Sequence, residues 1–136
     1  MTKGIYAILL ELPASAVFRT RRKEFQLDAG FYVYIGSAMN GLEIRISRHL
    51  SSEKRKHWHI DYLLEQSNII HVVSSEASKR HECVIAAALE VFPSIPGFGC
   101  SDCRCQSHLF CYQSSGDLFK AVVSAFQQAG LSPALN

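Results

Sequence analysis

The sequence predicts an α+β fold, and three observations carry the prediction. Strand-like runs at Gly4 to Leu12, Glu24 to Leu27 and Gly30 to Gly36 are joined by connections short enough to favour antiparallel neighbours. A helical pattern follows at Leu42 to Leu50, and helical patterns return in the second half of the chain. With 136 residues and 48% hydrophobic content, the chain suffices for one compact domain spanning 1–136.

Each element has its own warrant. Along Gly4 to Leu12 the residues Gly4, Tyr6, Ile8 and Leu10 take one face and Ile5, Ala7 and Leu9 the other. Apolar side chains on both faces predict a central strand, and Pro13 ends it. The basic run around Thr20 to Lys23 reads as a connection into the short strand Glu24 to Leu27, and Asp28-Ala29-Gly30 turns the chain into the third strand. There Phe31, Val33 and Ile35 alternate with Tyr32 and Tyr34. The helix from Leu42 carries Leu42, Arg45, Ile46, His49 and Leu50 on one face, and Arg48 lies on the same helix.

A short helix is expected over His57 to Leu64, a strand over Ile69 to Val73, and a buried helix from Lys79, stopped by Pro93. The segment from Pro93 to Ser107 reads as loop. It is followed by a last strand, His108 to Tyr112, and an amphipathic helix, Leu118 to Ala129. No apolar run approaches the ~20 residues of a membrane span, and no signal-peptide pattern precedes the first strand. A cytoplasmic location with no membrane partner is expected, and with it five reduced cysteines rather than a disulfide framework. The net charge of +2 permits a nucleic-acid partner without requiring one. Two basic clusters, Arg19 to Lys23 and Lys54 to Lys56, fit solvated loops or, alternatively, a phosphate-binding surface.

Three constellations carry chemistry. Tyr6 and Tyr34 share a face on neighbouring strands, opposite the helix that presents Arg45 and His49. A phenol of ordinary pKa about 10 needs a cation or a partner base to act near neutrality; otherwise the pair is core-edge packing. Cys100, Cys103, Cys105 and His108 offer thiolate and imidazole ligands suited to zinc, with Cys83 able to join from a helix; a loop of reduced thiols is the alternative. His57, His59 and Asp61 form the third: His57 and Asp61 fall one helical turn apart while His59 faces away, so a two-histidine metal site is not expected. His57 or His59 serves as a phosphate contact, as a proton shuttle or in packing.

Gly4-Ile5-Tyr6, then Tyr34-Ile35-Gly36, then Leu42, Arg45 and His49 in a Leu-x-x-Arg-x-x-x-His pattern resemble the GIY-YIG nuclease superfamily. His57 to Tyr62, Glu82-Cys83, Gly97-Phe98-Gly99 and Ser101 to Leu109 are similar to a poorly characterised branch of it, domain of unknown function 123, found alone or fused to DNA glycosylases. The resemblance implies a central three-stranded antiparallel sheet flanked by helices, here with an extra C-terminal strand and helix. It implies a metal-dependent endonuclease acting on DNA, with a possible place in DNA repair. Tyr6 assisted by Tyr34 would deprotonate water, Arg45 would contact the scissile phosphate beside His49, and Glu82, rather than Glu76, would hold Mg2+ or Mn2+. Gly36, Arg48, His57 and His59 would line the substrate.

The sequence departs from the better-known nucleases at three points: a longer Tyr6-to-Tyr34 separation, Ser37 where many relatives have lysine, and no asparagine after Glu82 in its helix. A non-catalytic nucleic-acid-binding module of the same fold, and a zinc- or redox-responsive domain, are the alternative functions.

Overall fold

A strand with apolar side chains on both faces must be covered on both, and Gly4–Leu12 (β1) lies in the middle of the sheet. The computed structural model describes residues 2–19, 23–51, 59–99 and 105–135. Within them β2 is Ala16–Arg19, β3 Glu24–Leu27 and β4 Gly30–Ala38. Next come α1 (Leu42–Leu50), α2 (His59–Leu64), β5 (Asn68–Glu76) and α3 (Arg80–Ala88). The last elements are β6 (Leu109–Tyr112), α4 (Ser115–Gln128) and β7 (Ala134–Leu135). The architecture is α+β, with every described strand pairing antiparallel.

The sheet holds five strands in the order β6-β4-β1-β5-β7, not the three expected. Its centre is β4-β1-β5, and β6 and β7 extend the two edges. The expected second strand, Glu24–Leu27, is a correction of a different kind: it pairs with Ala16–Arg19 in a separate hairpin instead of joining the sheet. Both long edges of β1 are already taken, by β4 and by β5, so a short intervening strand is left to pair with its nearest neighbour in sequence.

The two faces of the sheet bury different cores. On one, Tyr6, Ile8, Leu10, Tyr32 and Tyr34 pack with Leu42 of α1, Ile60 and Leu63 of α2, Phe18 and Phe25 of the hairpin, and Phe98. On the other, Ile5, Ala7, Leu9, Val33 and Ile35 pack with Ile85 and Ala86 of α3 and with Leu118, Val122 and Phe126 of α4. α4 begins earlier than the apolar pattern alone suggests, because the Ser114 hydroxyl accepts the Asp117 N–H at 3.2 Å and caps the first turn. His57 and Trp58, at the expected start of the α2 helix, lie outside the described residues. Among the described residues, no helix is long and apolar enough to cross a membrane.

The second core sets a stability prediction. Phe126 is fully buried, so Phe126→Ala is expected to lower the unfolding free energy by about 3–5 kcal/mol in urea titrations. Val91→Ala, at a position 82% exposed, should stay within about 0.5 kcal/mol of the parent.

Candidate functional site

β1 and β4 pair so that Tyr6 stands directly across from Gly36. The missing side chain at Gly36 lets the phenol ring lie over the β4 backbone, since a Cβ there would collide with Cζ and Oη of Tyr6. Tyr34 sits on the same face of β4, with its ring centroid 6.3 Å from that of Tyr6 at an interplanar angle of 50°. Two tyrosines that alternation placed on one face therefore do meet.

The helix α1 supplies the partners. The Tyr6 hydroxyl lies 2.7 Å from Nε2 of His49, and the imidazole ring centroid is 5.2 Å from the phenol's. Arg45, one turn earlier, hydrogen-bonds Tyr6 and donates Nη1–H to the Ser37 carbonyl at 3.0 Å. Arginine can only donate, so the phenol oxygen accepts from Arg45, and the imidazole tautomer sets which of Tyr6 and His49 donates across their 2.7 Å contact. Nδ1 of His49 lies 4.0 Å from Oδ1 of Asp61, beyond hydrogen-bond distance.

Asp61, on α2, is fully buried and takes two hydrogen bonds from Arg48, Nη1 to Oδ1 at 2.8 Å and Nη2 to Oδ2 at 3.0 Å. Arg48 thus joins α1 to α2 behind the site. Asp61 was grouped in the sequence with His57 and His59, without a role of its own. Its signal was a carboxylate set in an apolar helical run between Ile60 and Leu63, both buried.

Glu82 occupies the first turn of α3 with 7% exposure, and its charge acts on both Tyr6 and Tyr34. Its Oε2 lies 3.7 Å from Nδ1 of the buried His108. The chain passes close here: Gly99 has φ +73°, and a Cβ on it would press on Tyr34 Cε1 at 2.9 Å. His59 belongs to the wall of this region. Its ring packs edge-on against Phe25 at 5.0 Å and Phe98 at 5.5 Å, and it accepts the Gly99 N–H at 3.4 Å. Burial and then Lys23 push its pKa down.

Cys83, Cys105 and His108 come together, each with a ligand atom within 4.8 Å of the others, and form a possible metal-binding group. Cys105 and His108 were candidates for such a group, and Cys83 joins from α3. Cys100 and Cys103, like His57 and the 54–56 basic cluster, lie outside the described residues.

Burial dominates the electrostatics. It pushes the Tyr6 pKa above the ordinary 10.0, and Arg45 only partly opposes it while Glu82 and Asp61 add to it. Tyr34 is raised by burial, then by Tyr6 and Glu82. Tyr32 is pushed up to about 12 by burial first. These phenols are neutral at physiological pH. Because their pKa values are higher in the folded chain than in the unfolded one, the stability they contribute is complete below pH 10 and is lost above it. Unfolding free energy measured by urea titration should fall between pH 10 and 12, less steeply for Tyr6→Phe than for the parent. Gly36→Ala, which forces the Tyr6 ring off β4, should cost about 1–3 kcal/mol at neutral pH in the same measurement.

No curated protein and no solved structure matches the chain. A family model, domain of unknown function DUF123, matches residues 5–131, which include every side chain of the site just described. The chain belongs to the DUF123 family.

Proposed function

We propose that the chain is a GIY-YIG-type endonuclease that hydrolyses DNA phosphodiester bonds with a divalent metal. The observation that carries the reading is the 2.7 Å contact between the Tyr6 hydroxyl and His49 Nε2, held beside the Arg45 guanidinium. A buried phenol wired to an imidazole is a route for a proton. A guanidinium on the same oxygen stabilises the negative charge that the phenol or a neighbouring phosphate develops.

The residues have distinct tasks. Water attacks phosphorus and its proton passes to Tyr6 Oη as the phenol proton passes to His49 Nε2. The bond from phosphorus to the leaving sugar oxygen then breaks, and that oxygen takes up a proton from solvent to leave as the alcohol. Asp61 faces Nδ1 of His49 and stabilises the imidazolium so formed. Arg45, one of the part-exposed members of the group, faces the charge on the phosphoryl oxygens. Tyr34 bounds the site and excludes water from its inner side.

The donor chemistry suits a hard cation. Glu82 offers a carboxylate whose charge both tyrosines sense, and Mg2+ or Mn2+ takes oxygen ligands and keeps several waters. Held at Glu82, such an ion would supply Lewis-acid stabilisation of the phosphoryl oxygens.

The test is a metal-dependent nicking assay on plain, branched and damaged DNA. The parent should cleave at least one of them with Mg2+ or Mn2+. Tyr6→Phe is expected to lose about 10²–10⁴-fold in rate, Arg45→Ala about 10²–10³-fold, and Glu82→Ala its metal dependence. Salt-sensitive DNA binding should persist in Tyr6→Phe. A parent that binds DNA but cleaves none of the substrates overturns the nuclease reading in favour of a non-catalytic binding module, and so does equal cleavage by the three variants.

A further inference from the structure

We propose that Cys83, Cys105 and His108 bind a thiophilic divalent metal ion, zinc in class, that ties α3 to the segment leading into β6. This site is distinct in donor chemistry from the Glu82 carboxylate and does not depend on nuclease activity.

The geometry is close to what such an ion demands. Tetrahedral zinc with Zn–S about 2.3 Å and Zn–N about 2.0–2.1 Å sets its ligand atoms roughly 3.5–3.8 Å apart. In the structure the three ligand atoms all lie within 4.8 Å of one another, so side-chain rotations moving them by about 1 Å fill three of the four tetrahedral positions, the fourth being open to water. Two thiolates and an imidazole are a soft donor set, which selects zinc over magnesium or calcium.

The scaffold around the three residues is already fixed. Cys83 sits in the body of α3, next to a face anchored by Ile85 and Ala86. His108 is fully buried, its N–H donates to the Phe98 carbonyl at 2.8 Å, and its carbonyl accepts the Ile35 N–H at 2.9 Å. Beside Cys105, the Gln106 carbonyl accepts the Gly97 N–H at 2.7 Å. A metal at this point joins a helix to a loop that otherwise meets it through side-chain packing.

Glu82 stands beside the group, its carboxylate 3.7 Å from Nδ1 of His108, too long for a hydrogen bond and near enough to form one with the ring after a small side-chain rotation. On binding, each thiol releases its proton to solvent and the ion gains two sulfur ligands and one nitrogen ligand. Because Glu82 and Cys83 are adjacent in sequence, the ion also holds the first turn of α3, and the Glu82 carboxylate with it, against Tyr34 and Tyr6.

The full chain, purified without chelator under reducing conditions, is analysed for metal and loaded with ZnCl2 or CoCl2. About one zinc per chain is expected. Alkylation mapped by mass spectrometry should be slowed about tenfold or more at Cys83 and Cys105 and restored by chelator. Cys111 on β6 should be unaffected by chelator. The cobalt form should show thiolate-to-metal charge-transfer absorption that Cys83→Ser and Cys105→Ser each lose and Cys111→Ser keeps. Absence of bound metal overturns the proposal, and so does metal retained in both serine variants. Alkylation at Cys83 and Cys105 that responds to reductant but not to chelator also overturns it, and identifies a disulfide instead. The alkylation measurement uses the parent chain, so it decides the matter even where a serine variant fails to fold. None of these readouts depends on DNA cleavage.

Discussion

The buried hydroxyl of Tyr6 is the constraint around which this molecule is arranged. A phenol on the central strand of a sheet, 2% exposed, must find hydrogen-bond partners inside the protein or cost free energy comparable to a lost hydrogen bond. Both partners come from α1, Arg45 and His49, one helical turn apart. To serve them, α1 must lie across the β1–β4 face in one register, and the bare backbone at Gly36 gives the ring the room to reach. Asp61 and Arg48 then hold α1 to α2 through a charged, bidentate pair set behind the imidazole. A chain of charge-assisted contacts therefore runs from the sheet through one helix to the next.

The two faces of the sheet do different work. The face that holds α3 and α4 is an ordinary apolar core, from Ile5 and Val33 to Phe126. The opposite face mixes tyrosines with aliphatic residues and ends in the aromatic cluster of Phe18, Phe25 and Phe98. Aromatic side chains present an apolar body and, in tyrosine and histidine, a polar tip, so this face buries polar groups within an apolar wall. Glu82 stands in the first turn of α3, 3.7 Å from His108, and its charge reaches the phenols Tyr6 and Tyr34 of the other side.

Much of this was legible in the amino acids. Alternation along Gly4 to Leu12 placed β1 at the centre because no edge strand has reason to be apolar on both faces. The 3.6-residue period put Arg45 and His49 on one face, and both now touch Tyr6. Glu82, Ile85, Ala86 and Leu89 follow the same period, and all four are buried. Less was visible where pairing is non-local. Glu24–Leu27 has a strand's composition, but composition does not say whether its partner is β1 or Ala16–Arg19. The two-residue β7 carries no periodicity at all and exists only because the edge of β5 was open to it.

By itself the sequence determined the kinds of groups that meet: two tyrosines on one strand face, a guanidinium and an imidazole on one helix face, and thiols spread along the later segments. Periodicity decides these because it is a local property of the backbone. Tertiary structure alone decided which atoms pair. It directed the Tyr6 hydroxyl to His49 rather than to Tyr34, gave Asp61 to Arg48, and carried Cys83 from α3 to Cys105 and His108. Those choices depend on how helices settle on a twisted sheet, where a shift of one residue in register moves a side chain to the opposite face.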